Sequence, residues 1–250
     1  MTEPAGTLLE VTVESLAGAR AALAGGAGRL ELCSGLAQGG LTPSAGLLAE
    51  VGEAVSLPLF VLIRPRPGDF LYDAGDLAVM RRDIAEAARH GADGVVIGAL
   101  DRNGAIDRGT VCALIEEAGP MAVTFHRAVD LVSNLDAALD ALLDLGVERV
   151  LSSGQARSAE EGIPVLARMV QRDPARLTVI AAGGVRAANV RRIVAETGVR
   201  EIHSSAATPR RVMHPRREEI MLGLAGDGHG LDGQETDAGM VAAIVAQLRA

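Results

Sequence analysis

Short β-branched apolar runs alternate with Ala- and Leu-rich stretches of helical period along the whole chain. The apolar runs predict strands at Leu8–Val13, Arg29–Cys33, Leu59–Arg64, Gly94–Gly98, Ala122–His126, Arg149–Ser152, Leu177–Ala181 and Glu201–His203. Between them the spacing predicts helices at Ser15–Ala24, Pro43–Val55, Gly75–His90, Asp107–Ala118, Asn134–Leu145, Ala159–Gln171 and Ala187–Thr197. Strand-then-helix order repeated in this way is the signature of a parallel sheet with helical crossovers. Eight strands in 250 residues favour closure into one (β/α)8 TIM barrel spanning residues 1–250 over an open sheet.

A glycine recurs just before several strands, in Gly26-Ala27-Gly28-Arg29, Gly91-Ala92-Asp93-Gly94, Leu145-Gly146-Val147 and Thr197-Gly198-Val199. In that place it ends the preceding helix in the left-handed conformation and turns the chain into the next strand. The rhythm breaks at the end. A polar, Gly-rich stretch from about 208 to 233 follows strand eight, and a last helix is expected at about 237–249. A connection that long is usually functional or mobile, and it is expected over or beside the barrel mouth, with the last helix completing the outer ring.

Composition narrows the reading. Hydrophobic residues make up 48% of the chain, but there are only three Phe, one Tyr and no Trp. Ala, Val, Leu and Ile must therefore fill the interior, as they do in barrel layers. The net charge of -8 argues against a nucleic-acid partner, which needs a basic face. The run Arg210-Arg211 and Arg216-Arg217 reads as a solvated loop. Two cysteines make no disulfide framework and suit a reducing compartment. The start lacks a basic n-region and no apolar run reaches membrane-spanning length, so a cytoplasmic location is expected.

Barrel lumens are filled mainly by Val, Ile and Leu, so polar residues within strands carry the information. Glu10, Glu31, Arg64 and His126 are expected to cluster near the mouth, with Arg64 pairing one of the carboxylates. As a site, the cluster offers a Glu and His126 for acid–base work; as a plug, it is a structural ion-pair network. Gly183-Gly184 after strand seven, opening a helix, exposes backbone N–H groups to an anion, with Ser204 after strand eight beside it. A tight turn is the alternative. Arg66, stiffened by Pro65 and Pro67, is a further anion-binding candidate or part of a rigid surface loop. Cys33 is placed at the mouth, where a thiolate suits a soft ion such as Cu(I). Cys112 is expected as a buried hydrophobe, and His214 and His229 as solvated loop residues.

These stretches together resemble the CutC family, named for copper homeostasis. The resemblance is carried by Arg29-Leu30-Glu31-Leu32-Cys33-Ser34, Gln38 to Ser44, Ile63-Arg64-Pro65-Arg66, Gly68-Asp69-Phe70 and Gly91 to Val96. It continues through Thr124-Phe125-His126-Arg127-Ala128, Gly183-Gly184-Val185 and Glu201-Ile202-His203. It implies a TIM barrel, a cytoplasmic location, a homo-oligomer, copper ion binding, and Cys33 as the family's cysteine. Gln155, Val129 and Ser204 depart from common family residues. Two expectations stand: a metal-handling protein that holds Cu(I) through Cys33, or an enzyme acting on a small phosphorylated or carboxylated metabolite at the mouth.

Overall fold

The computed structural model describes residues 6–209 and 233–249. The pairs Arg210-Arg211 and Arg216-Arg217, with His214 and His229, lie outside the described residues.

Eight parallel strands close into a barrel in sequence order: β1 (Leu8–Val13), β2 (Arg29–Leu32), β3 (Leu59–Leu62), β4 (Gly94–Ile97), β5 (Ala122–Phe125), β6 (Arg149–Ser152), β7 (Thr178–Ala181) and β8 (Glu201–Ser204). β8 returns to β1 with Glu10 opposite His203, while on the other side Glu10 faces Arg29. That register gathers charge from three strands at one level of the lumen. The outer ring is α1 (Leu16–Gly25), α2 (Ala45–Ala54), α3 (Ala74–Arg89), α4 (Arg108–Ala118), α5 (Leu135–Asp144), α6 (Ile163–Arg172), α7 (Val190–Thr197) and α8 (Ala238–Arg249). α8 closes the ring so tightly on α1 that a methyl on Gly25 would stand 2.5 Å from the Val241 Cβ.

Side chains alternate along each strand. Leu9, Val11, Leu30, Leu32, Val61, Val95, Ile97, Phe125 and Val150 pack outward with the helices in one core. The other parity faces the lumen, where two small apolar clusters survive: Cys33, Phe60, Leu62 and Val96, and Leu151, Ile180 and Ala182. The lumen also holds the buried polar residues Glu10, Thr12, Arg29, Glu31, Thr124 and His203. The recurring glycines do what the sequence expects of them, since Gly26, Gly91, Gly146 and Gly198 all have φ between 75° and 89°.

Two departures have physical causes. Helix α6 begins at Ile163, not Ala159, because Gly162 is its N-cap with a proline in the first turn. The Ala159 N–H is instead spent on the Gly183 carbonyl at 2.8 Å. Second, the chain flanking the long connection is ordered: Ala207–Pro209 (β9) pairs antiparallel with Gln234–Thr236 (β10). Among the described residues, no helix is long and apolar enough to cross a membrane.

Candidate functional site at the barrel mouth

The deepest polar layer is an ion-pair chain. Arg29 sits at the start of β2, donates Nε to Glu10 and Nη2 to Glu201, each at 2.5 Å, and Glu201 also accepts from Arg149. Both arginines lie over the Phe60 ring, at 4.9 and 5.7 Å from its centroid. Glu10 is 1% exposed and Arg29 4%. A pair so buried must satisfy its remaining polar atoms, and Glu10 does so by accepting from His203 Nδ1 at 2.7 Å. His203 Nε2 then faces Glu31 at 3.8 Å.

Electrostatics separates the two carboxylates. Burial alone would raise Glu10, but the His203 hydrogen bond and charge, with Arg29, outweigh it and hold the carboxyl at about 2. Glu31 gains too little from its neighbours: burial, together with the Glu10 charge, raises it. His203 is raised, because Glu31 and Glu10 overcome the burial that would lower it. Glu10 is thus a fixed anion that orients His203, and Glu31 faces the cavity beside that ring.

Arg64 corrects one expectation. It pairs with neither Glu10 nor Glu31. Its guanidinium donates to the carbonyls of Gln38 and Gly40, both at 2.9 Å, and of Gly68 at 2.8 Å. It binds the loop after β2 to the loop after β3 and stacks 5.1 Å from the Phe70 centroid. The counter-ion of Glu10 is Arg29, which sequence reasoning missed because it opens its strand, far from the mouth. Its signal was present: Arg29 shares the lumen parity of Glu31.

His126 follows β5 and caps the 3-10 turn Arg127–Leu131, accepting from the Ala128 N–H through Nδ1 at 3.2 Å. Its ring lies 4.8 Å from the Phe70 ring and against Gly98, where any Cβ would strike it at 2.3 Å. Burial and then the Arg64 charge push it down to about 3, so it is neutral at physiological pH.

Glu31, His203, His126 and Arg64 all line one cavity of about 1170 Å³ at the C-terminal ends of the strands. That volume exceeds what a single small ligand needs. The far wall is Gly183 and Gly184, with φ of 96° and 71°. Among the described residues their N–H groups, and that of Val185, donate to nothing. The expectation that they open a helix is corrected: α7 starts at Val190, after a turn in which Asn189 Oδ1 accepts from the Arg186 N–H. The cation beside them is Arg127, whose Nη1 lies 3.5 Å from where a Gly183 Cβ would stand. Arg127 is held by Asp130 and Ser153 across 3 and 26 residues of chain.

Two other candidates spend their polar groups within the protein. Arg66 is away from the cavity, and its guanidinium is taken by Asp69, Asp76 and the Leu71 carbonyl. Ser204 borders the cavity, but its hydroxyl donates to the Val185 carbonyl at 2.8 Å and accepts from the Ala206 N–H. It shapes the glycine loop from behind.

The cysteines separate as well. Cys33 is fully buried within 3.4 Å of the Thr12 hydroxyl, and burial with the Glu31 charge pushes its thiol up to about 12. Cys112 is exposed on α4, against the expectation of burial. Native protein treated with a thiol reagent is expected to lose one thiol quickly, and peptide mapping is expected to find it at Cys112. Rapid labelling of Cys33 would contradict the closed lumen.

Glu10, Glu31 and His203 bring one ligand atom each within 4.8 Å of one another. Both Glu10 oxygens are already used by Arg29 and His203. Cu(I) prefers thiolate and thioether, and Cys33 offers one buried sulfur whose polar neighbours are the Thr12 hydroxyl and the Glu31 carboxyl. The described residues therefore do not fit Cu(I).

Fold and site define a TIM barrel with a charged lumen floor and a large, donor-rich cavity at the C-terminal ends of its strands. Residues 7–208 match the model of the CutC family. The chain belongs to the CutC family. It is 46% identical over 241 residues to a family protein CutC of Xanthomonas campestris pv. campestris, covering 96% of this chain and 98% of that protein. It is 47% identical over 205 residues to the copper homeostasis protein cutC homolog of Homo sapiens, covering 82% and 75%. A CutC protein from Streptococcus agalactiae, solved by crystallography, superposes with a TM-score of 0.76 at 32% identity, over 80% of this chain and 98% of that one.

Proposed function

We propose that this chain serves copper homeostasis, as the names of its mouse and human relatives state for those proteins, and does so through a small anionic metabolite held at the barrel mouth. One observation carries the ligand class: Gly183, Gly184 and Val185, whose amides are unspent, line the cavity wall, with the Arg127 guanidinium beside Gly183. Backbone N–H groups with an arginine fork suit phosphate or carboxylate oxygens. Glu31 and His126 face the same space and supply proton-handling and polarising groups, which favours an enzyme acting on that metabolite over a carrier. Glu10 and Arg64 act as supports, Glu10 by orienting His203 and Arg64 by joining two loops.

The test is a titration of ¹⁵N-labelled protein with inorganic phosphate. Phosphate is expected to move the Gly183 and Gly184 amides, and Arg127→Gln to weaken it about tenfold or more, the size of one lost charge-assisted hydrogen bond. The rival ligand is Cu(I) on Cys33. In anaerobic competition with a Cu(I) chelator, Cys33→Ser is expected to leave any affinity unchanged. Abolished affinity, with amides indifferent to phosphate, would replace the anion reading by the metal one.

A further inference from the structure

His126 uses one ring nitrogen and leaves the other idle. Nδ1 accepts from the Ala128 N–H, which places the proton of the neutral ring on Nε2. That Nε2 is buried, and no described residue accepts from it. Arg64 Nε, in the residue whose charge reaches the ring, is likewise buried and without a partner. Buried polar groups are nearly always paired, and leaving one unpaired costs free energy comparable to a hydrogen bond. Here two idle groups come from residues of one cavity wall, and both are donors.

The ring is also immobilised. Gly98 leaves it room that any side chain would fill, and Phe70 covers it from one side. A cation is unwelcome at this spot, since Nε2 carries a proton and not a lone pair, and the Arg64 guanidinium stands nearby. A hydroxyl fits poorly, because it needs an acceptor as well as a donor. An oxygen that only accepts suits the idle Nε2–H.

We propose that His126 is a fixed, uncharged N–H donor for an acceptor-only oxygen of the mouth ligand, a carbonyl or a carboxylate. The proposal rests on the anion reading above and deepens it. The ligand then carries two oxygen functions, one for the Gly183–Gly184 amides and one for His126. A carbonyl held this way is polarised by a neutral donor, so that negative charge developing on its oxygen is stabilised without a proton changing hands. Depressed basicity from burial and Arg64 keeps the ring neutral for that task.

Three phosphorylated probes of similar size separate the alternatives: dihydroxyacetone phosphate with a carbonyl, phosphoglycolate with a carboxylate, and glycerol 3-phosphate with hydroxyls only. With ¹⁵N-histidine-labelled protein, the carbonyl or the carboxylate probe is expected to shift the His126 Nε2 resonance, and glycerol 3-phosphate to leave it unmoved. Which of the two acts names the oxygen. His126→Asn keeps an oxygen for the Ala128 amide but loses the Nε2–H. It is expected to weaken the active probe about tenfold, the size of one lost buried hydrogen bond, and to leave glycerol 3-phosphate unchanged. The Gly183 and Gly184 amides, followed in the same titration, read the anion subsite separately. Amide shifts with a silent His126 overturn this inference and leave the anion reading standing; silence at both overturns the two together. An equal loss for all three probes in His126→Asn reduces His126 to a structural cap and overturns it as well.

Discussion

Arg29→Met is expected to destabilise the barrel by about 3–5 kcal/mol, the cost of stranding a buried charge by removing its partner. The substitution is close in length and apolar, so the lumen stays filled. What it loses is the counter-ion of Glu10 and one of the two arginines on Glu201. Glu10 keeps only His203, at a position 1% exposed. For a chain of this length the midpoint of thermal unfolding should fall by roughly 6–20 °C, read by far-ultraviolet circular dichroism because the chain has no Trp. The double variant Arg29→Met/Glu10→Met should lose less than the sum of the singles, because it removes the stranded charge. A single variant as stable as the wild type would show that the lumen network carries no weight.

Acid should expose His126 next. Its pKa is lowered from 6.5 to about 3, so the folded state favours the neutral ring. The stability this gives is complete above pH 6.5 and is lost as pH falls toward 3. Between pH 6.5 and 5 the loss amounts to about 2 kcal/mol, and His126→Asn should remove that slope. His203 works in the other direction: its raised pKa gives stability that is full below 6.5 and lost as pH rises through the folded value. Glu10, lowered to about 2, loses its contribution only below about 4.5. Glu31, which is raised, gains stability as pH falls, so it is the difference between denaturant melts of wild type and His126→Asn from pH 7 to 5 that isolates His126. Parallel pH profiles for the two proteins would refute the assignment of a buried neutral ring.

The barrel was legible because its signal repeats. Each β-branched run is bounded by a helical stretch, and a glycine closes four of the helices. No single boundary needed to be right. Helix α6 shows where the pattern misleads, since Ala159 to Gly162 have helical composition but the glycine and the proline after it set the start by geometry. Glu31 and His126 were readable as lumen residues from parity alone. Partners were not. Nothing local distinguishes Arg64, which holds two loops by their carbonyls, from Arg29, which neutralises Glu10 across the β1–β2 ladder. Arg127 is fixed by Ser153, 26 residues away, and only the closed barrel brings the Gly183 turn beside it. Ser204 sits beside the glycine turn as expected, yet strand parity turns its hydroxyl to the back.

The Arg29, Arg149 and Phe60 layer has one more consequence. It stoppers the barrel at the N-terminal ends of the strands, so the protein is a cup and not a tube. Whatever enters at the rim must leave by the same rim. Arrival and departure then compete for one doorway, and a lingering ligand would block the next molecule's entry.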